Sequence, residues 1–137
     1  MCSILLVEDH KIMAETLVRV LSTRGNFRVA DVAESAEDAL EWLSERESNL
    51  EVDLALVDVV LPRTSGIELV SLMKQKYPGI PCLMISGRSA PQYVKRSLAA
   101  GARGYVLKDN LQDVMTGIRQ VLLGETYLSQ QIEEGEN

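Results

Sequence analysis

Five short apolar runs alternate with five segments of helical periodicity, and that order leaves few compact arrangements open to the chain. The runs are Ile4-Leu5-Leu6-Val7, Val29-Ala30-Asp31-Val32-Ala33, Leu54-Ala55-Leu56-Val57, Cys82-Leu83-Met84-Ile85 and Tyr105-Val106-Leu107. All but the second are uninterrupted, as strands covered on both faces should be. Between them, Met13, Leu17, Val20 and Leu21 share one helical face, as do Ala36, Ala39, Leu40 and Leu43, and then Ile67, Val70 and Met73. A fourth helix is expected over about 91–100, opened by Pro91, and a fifth over about 111–123, stopped by Gly124. Strict alternation with right-handed crossovers predicts an α/β fold, a doubly wound parallel sheet of five strands with five helices. In such a sheet, ligands sit beyond the carboxyl ends of the strands, where the winding reverses.

With 137 residues the chain is expected to form one domain over 1–124, followed by an acidic tail or the start of a linker over 125–137. No apolar stretch approaches the roughly 20 residues a membrane span needs, and Glu8 and Asp9 come too early for a signal peptide. Two cysteines, Cys2 and Cys82, are too few for a disulfide framework, and Cys82 lies in an apolar run that suits a buried thiol. A cytoplasmic location is therefore expected.

The net charge of −6 is unevenly spread. Ten acids face one base, Arg46, between Asp31 and Asp58, whereas six bases face two acids between Arg88 and Arg119. The tail contributes Glu125, Glu133, Glu134 and Glu136 and no base. A globally acidic chain without a dense basic stripe is not expected to bind nucleic acid directly, but the asymmetry marks the C-terminal third as a docking surface.

The residues that follow the apolar runs carry the chemistry. The first run ends in Glu8 and Asp9, the third in Asp58, the fourth in Ser86 and the fifth in Lys108. Three carboxylates about 6 Å apart would repel by roughly 3 kcal/mol per pair at an effective dielectric near 20, so the group calls for a cation. Oxygen-rich ligands favour Mg²⁺. Lys108 would balance further charge, and a carboxylate beside a metal and a lysine can act as a nucleophile toward a phosphoryl group. Ser86 would supply a hydroxyl donor there.

Leu6-Val7-Glu8-Asp9, Leu56-Val57-Asp58 with Leu61-Pro62 and Gly66, Ile85-Ser86-Gly87, and Gly104-Tyr105-Val106-Leu107-Lys108 together resemble the receiver domain of two-component response regulators. The resemblance covers residues 3 to about 123 and implies the flavodoxin-like strand order 2-1-3-4-5. It implies Asp58 as phosphoacceptor, Glu8, Asp9, Asp58 and the main-chain carbonyl of Val60 as Mg²⁺ ligands, and Lys108 as the phosphate contact. Ser86 and Tyr105 would be the switch hydroxyl and switch aromatic.

The implied partner is a sensor histidine kinase or phosphotransfer protein, and the implied activity is self-catalysed phosphoryl acceptance with slow autodephosphorylation rather than enzymatic turnover. Tyr-Val-Leu-Lys-Asp and Gly-Glu-Thr-Tyr-Leu-Ser look like the NarL/FixJ subgroup, whose members usually continue into a helix-turn-helix, so a role in transcription control is expected. A stand-alone receiver acting through protein contacts is the alternative. A haloacid dehalogenase-like phosphatase needs a second acid two residues after its nucleophile, and Val60 stands there. No Gly-x-x-x-x-Gly-Lys-Ser/Thr loop occurs.

His10 is read as a residue at the pocket rim and Trp42 as surface packing. The face formed by residues 91–123, with Lys95, Arg96, Arg103 and Arg119, is expected to carry the output and a possible homodimer contact.

Overall fold

A computed structural model describes residues 1–87, 90–130 and 132. The expected alternation is present. β1 (Ser3–Val7), β2 (Arg28–Ala33), β3 (Leu54–Asp58), β4 (Cys82–Ser86) and β5 (Gly104–Leu107) are separated by α1 (Lys11–Thr23), α2 (Ala36–Ser44), α3 (Gly66–Lys76) and α4 (Pro91–Ala100), and α5 (Leu111–Leu122) follows. Every residue of β1, β3, β4 and β5 is buried, as the uninterrupted apolar runs require of strands with helices on both faces. Leu5, Val7, Ala55, Val57 and Met84 pack under α2 and α3, while Ile4, Leu6, Leu56, Leu83 and Ile85 pack under α1 and α5.

Helix boundaries follow local chemistry. Ser35, Ser65 and Asn110 accept the Asp38, Glu68 and Asp113 amides at 3.0, 3.1 and 3.0 Å, capping α2, α3 and α5. Gly101 ends α4 in the left-handed region, at φ 116°, where a side chain would be strained.

The expected sheet of five strands is corrected to six. All pairs are parallel, in the order β2-β1-β3-β4-β5-β6, and β6 (Tyr127–Leu128) adds to the outer edge of β5 through Gly104↔Tyr127 and Tyr105↔Leu128. Two residues within a polar stretch carry too little periodicity to read as a strand, so the sixth was not legible from pattern. Glu133, Glu134 and Glu136 of the expected acidic tail lie outside the described residues. Among the described residues, no helix is long and apolar enough to cross a membrane. Cys82 is buried 3.9 Å from the Met73 sulfur, and burial pushes its thiol up to about 12.

Candidate functional site

β1, β3, β4 and β5 deliver their last or following residues to one edge of the sheet. Glu8 and Asp9 follow β1, Asp58 ends β3, Ser86 ends β4 and Lys108 follows β5. The backbones are tied there by Glu8 N–H donating to the Ala33 carbonyl at 3.0 Å, Val59 N–H to Ile85 at 3.0 Å and Lys108 N–H to Ser86 at 2.9 Å. Gly66 opens α3 with its amide on the Val59 carbonyl at 2.9 Å, and a side chain there would strike the Asp58 carbonyl. That close approach fixes the turn that presents Asp58.

Glu8 and Asp58 are 1% and 2% exposed, so their charges need partners. Lys108 Nζ lies 2.6 Å from Glu8 Oε1 and donates to Asp58 Oδ2 at 2.8 Å, bridging the two acids. The Val60 amide donates to Asp58 Oδ1 at 3.1 Å. Asp9 lies at the exposed side of the group, and His10 Nδ1 stands 3.3 Å from Glu8 Oε2 and 3.4 Å from Asp9 Oδ1.

The electrostatics divide the two buried acids. Burial, reinforced by the hydrogen-bonded Glu8 carboxylate, pushes Asp58 up to about 7. Burial also works to raise Glu8, but hydrogen bonds with Asp58 and Lys108 outweigh it and hold Glu8 below its ordinary value. Lys108 is raised, because its two carboxylate partners overcome the burial that would lower it. The pocket thus holds one firm anion, one reluctant anion and one cation.

Ligand atoms of Glu8, Asp9, His10 and Asp58 lie within 4.8 Å of one another, and Val60 beside them is 58% exposed. The three carboxylates form an acidic cluster whose oxygen donors fit a hard divalent cation. His10 precedes α1 at the rim, 68% exposed in its side chain and without a side-chain capping bond to the helix. A cavity of about 460 Å³ opens beside Asp58, lined also by His10, Val60, Ser86, Gly87, Tyr93 and Lys108.

Ser86 is buried at the floor of this cavity. Tyr105 is wholly buried behind it, and burial raises its phenol against a hydrogen bond with Ser86. Glu8, Asp9, Asp58, Val60, Ser86 and Lys108 therefore meet at one edge, while Tyr105 sits one layer inward in contact with Ser86.

Residues 4–119 match the family described as the response regulator receiver domain. The chain belongs to that family. It is 30% identical to the response regulator GacA of Pseudomonas aeruginosa over 96% of this chain and 60% of that protein. It is 29% identical to the transcriptional regulatory protein DegU of Brevibacillus brevis over 91% of this chain and 52% of that one. The receiver thus spans little more than half the length of the curated relatives it matches. The LuxR family response regulator from Aurantimonas sp. SI85-9A1 superposes with a TM-score of 0.89 at 26% identity, covering 98% of this chain and 94% of that one. The NarL receiver domain from Mycobacterium tuberculosis gives 0.81 at 26% identity, over 90% and 98%. The chain is a signalling receiver of the two-component type, not a turnover enzyme.

Sequence reasoning missed the residues that hold β6. Tyr127 and Ser129 both donate their hydroxyl protons to the Asp113 carboxylate, and the Leu107 amide donates to Ser129 Oγ at 3.2 Å. Asp113 reads in sequence as an ordinary first-turn acid. Gly117 is the signal that could have pointed to them, since glycine inside an amphipathic helix asks for a close neighbour.

Proposed function

We propose that Asp58 is the phosphoacceptor, taking its phosphoryl group from a phosphohistidine on a sensor histidine kinase or phosphotransfer protein. The observation that carries this reading is a carboxylate 2% exposed at the end of β3, bridged by Lys108 and opening onto the cavity beside Ser86. An Asp58 oxygen attacks phosphorus in line with the phosphorus–nitrogen bond; that bond breaks, its electron pair returns to the imidazole, and an acyl phosphate forms. Lys108 holds the negative oxygens of the transferred group, and the Ser86 hydroxyl donates to one of them. Glu8, Asp9, Asp58 and the Val60 carbonyl are the ligand set for Mg²⁺. When bound, Mg²⁺ supplies charge neutralisation for the acids and the incoming phosphate. Ser86 and Tyr105 form the switch pair, and their contact in the structure supports that assignment.

Residues 1–124 are proposed as the receiver proper and 125–137 as its tail, with Tyr127–Leu128 carried by the sheet. The name of the relative DegU supports a role in transcription control, and a cytoplasmic location is proposed with it. The output and homodimer face over 91–123 is reached through α4, where Lys95, Arg96 and Leu98 are exposed. Arg103 instead donates to the Gly124 carbonyl at 2.8 Å, and Arg119 lies over the Phe27 ring.

Treatment with acetyl phosphate and Mg²⁺ should add one phosphoryl group to the chain by intact-mass spectrometry, and Asp58→Asn should abolish it. Full labelling of the Asn variant, or equal rates in EDTA and in Mg²⁺, would sink the assignment.

A further inference from the structure

The most elaborately built feature outside the acidic pocket is the seat of β6. Gly104 lacks a side chain where one would strike the Tyr127 carbonyl, and a Cβ on Gly117 would stand 2.9 Å from Val106 and 3.1 Å from the Tyr127 ring. Two glycines are thus cut back to admit two residues of strand. Tyr127 N–H donates to the Arg103 carbonyl and Ser129 N–H to the Tyr105 carbonyl, both at 3.1 Å. Ser129 is 0% exposed, although serine has no apolar reason to be there.

Its hydroxyl does two things at once. It donates to the Asp113 carboxylate, a charge-assisted bond, and its oxygen accepts the Leu107 amide at 3.2 Å. Leu107 is the last residue of β5, and the next residue is Lys108, which bridges Asp58 and Glu8. Beyond Tyr105, β5 has no further paired residue on β6, since the ladder stops at Tyr105↔Leu128. The Ser129 hydroxyl therefore replaces the missing rung and fixes the backbone from which Lys108 projects.

We propose that Asp113 and Ser129 are positioning residues for Lys108: the Asp113–Ser129–Leu107 chain of hydrogen bonds holds the end of β5 so that the Lys108 ammonium meets an anion on Asp58. This rests on the reading of Asp58 as phosphoacceptor. It makes the turn after α5 a working part of the pocket, and linkage requires that an anion engaging Lys108 should in turn steady Ser129.

The test uses the full chain and beryllium fluoride with Mg²⁺ as the phosphoryl probe. Asp113→Asn and Ser129→Ala should each weaken beryllium fluoride binding roughly fivefold, the low end of ordinary coupling between sites, by titration followed with fluorine NMR. Calorimetric Mg²⁺ affinity should not fall, because the metal ligands stand on the β1 and β3 side and Lys108 holds Glu8 and Asp58 as a competing cation. In a Lys108→Ala background the effect of Ser129→Ala should vanish, as a double-mutant cycle demands of residues acting through one another. A fall in both affinities together, or a Ser129→Ala cost that persists without Lys108, would mean general loosening and overturn the proposal. Should the variants fail to fold, amide exchange of the native chain decides: Leu107 and Ser129 should exchange more slowly with the probe bound, and unchanged rates overturn the proposal. No adduct at all on the native chain would instead bring down the phosphoacceptor reading, and this one with it.

Discussion

The two margins of the sheet are secured by opposite means. β2 is six residues long, only part-buried, and pairs along β1 through five partners with an irregularity between Ile4 and Leu5. Its outer side meets α2, where Asp31, Glu34, Asp38, Glu41 and Glu45 surround Trp42 in an acidic cleft. β6 is two residues long and would not stay on the ladder by its two pairs alone. It is held by the Asp113 clamp, the buried Ser129 and the space left by Gly104 and Gly117. The long margin can lose any one contact and repels other strand edges with charge. The short margin depends on a few anchors that act together, so its mutations should cost more and reach further.

The largest effect expected from that contrast is at Gly104. A methyl there would strike the Tyr127 carbonyl and come 2.9 Å from Leu83, so β6 must leave or the strand must bend. Gly104→Ala should cost roughly 3 kcal/mol in urea unfolding, near the top of the range for overpacking. Val29→Ala on the half-buried β2 should cost about 1 kcal/mol. Equal losses at the two positions would erase the distinction between the margins.

Between the margins, the centre of the sheet carries its own cost. The raised Asp58 carboxyl binds a proton in the folded chain up to about pH 7, whereas in the unfolded chain it releases it near the ordinary aspartate value of 3.8. Stability contributed by that proton is present at low pH and is lost as pH rises through that window. Asp58→Asn should therefore be more stable than the native chain by a few kcal/mol at pH 8 in EDTA, with the gap narrowing as pH falls below about 7 and closing only near pH 4. A gap that is constant from pH 5 to 8 would remove Asp58 titration as its source. Because this burden lies on β3, it gives an internal scale for the losses at either edge.

The same contrast explains what could be read in advance. β1, β3, β4 and β5 announce themselves as uninterrupted apolar runs, because burial on both faces demands them, and the site residues stand at or directly after the ends of those runs. Glu8, Asp9, Asp58, Ser86 and Lys108 were legible because the parallel topology sends every strand end to one edge. β6 was hidden because its stability comes from polar anchors distant in sequence, and no local period records a bond from Ser129 to Asp113. The inward place of Tyr105 was hidden too, since an apolar run does not say which side of the sheet a phenol enters.

Tyr127→Phe separates the anchors of the short margin. It removes the hydroxyl donated to Asp113 while keeping the ring against Gly117 and leaving the Ser129 bond in place. A loss of about 1 kcal/mol is expected, the ordinary value of a single hydrogen bond, because the Asp113 carboxylate keeps a second donor in Ser129. Phosphoryl acceptance should be unaffected, because Leu107 remains on Ser129. A drop in labelling rate as large as that of Ser129→Ala would make the whole clamp one unit and blur the division of labour.

The smallest effect should come from the long margin. Arg46 lies 4.4 Å from the Trp42 ring centroid, donates to the Trp42 carbonyl at 3.1 Å and is 45% exposed in its side chain. Its nearest acid, Glu45, is 4.0 Å away, so little of its contribution is ionic. Arg46→Ala should cost about 0.5 kcal/mol, as exposed cation–aromatic pairs do, with little dependence on salt. Arg46→Lys should recover only part of it, because an ammonium cannot stack its plane on the indole while donating to the carbonyl. Unfolding of both variants at low and high salt checks this. A loss above about 2 kcal/mol, in the range of a buried anchor, would show that the β2 margin also hangs on single contacts, and the contrast between the two edges would fail at its weakest point.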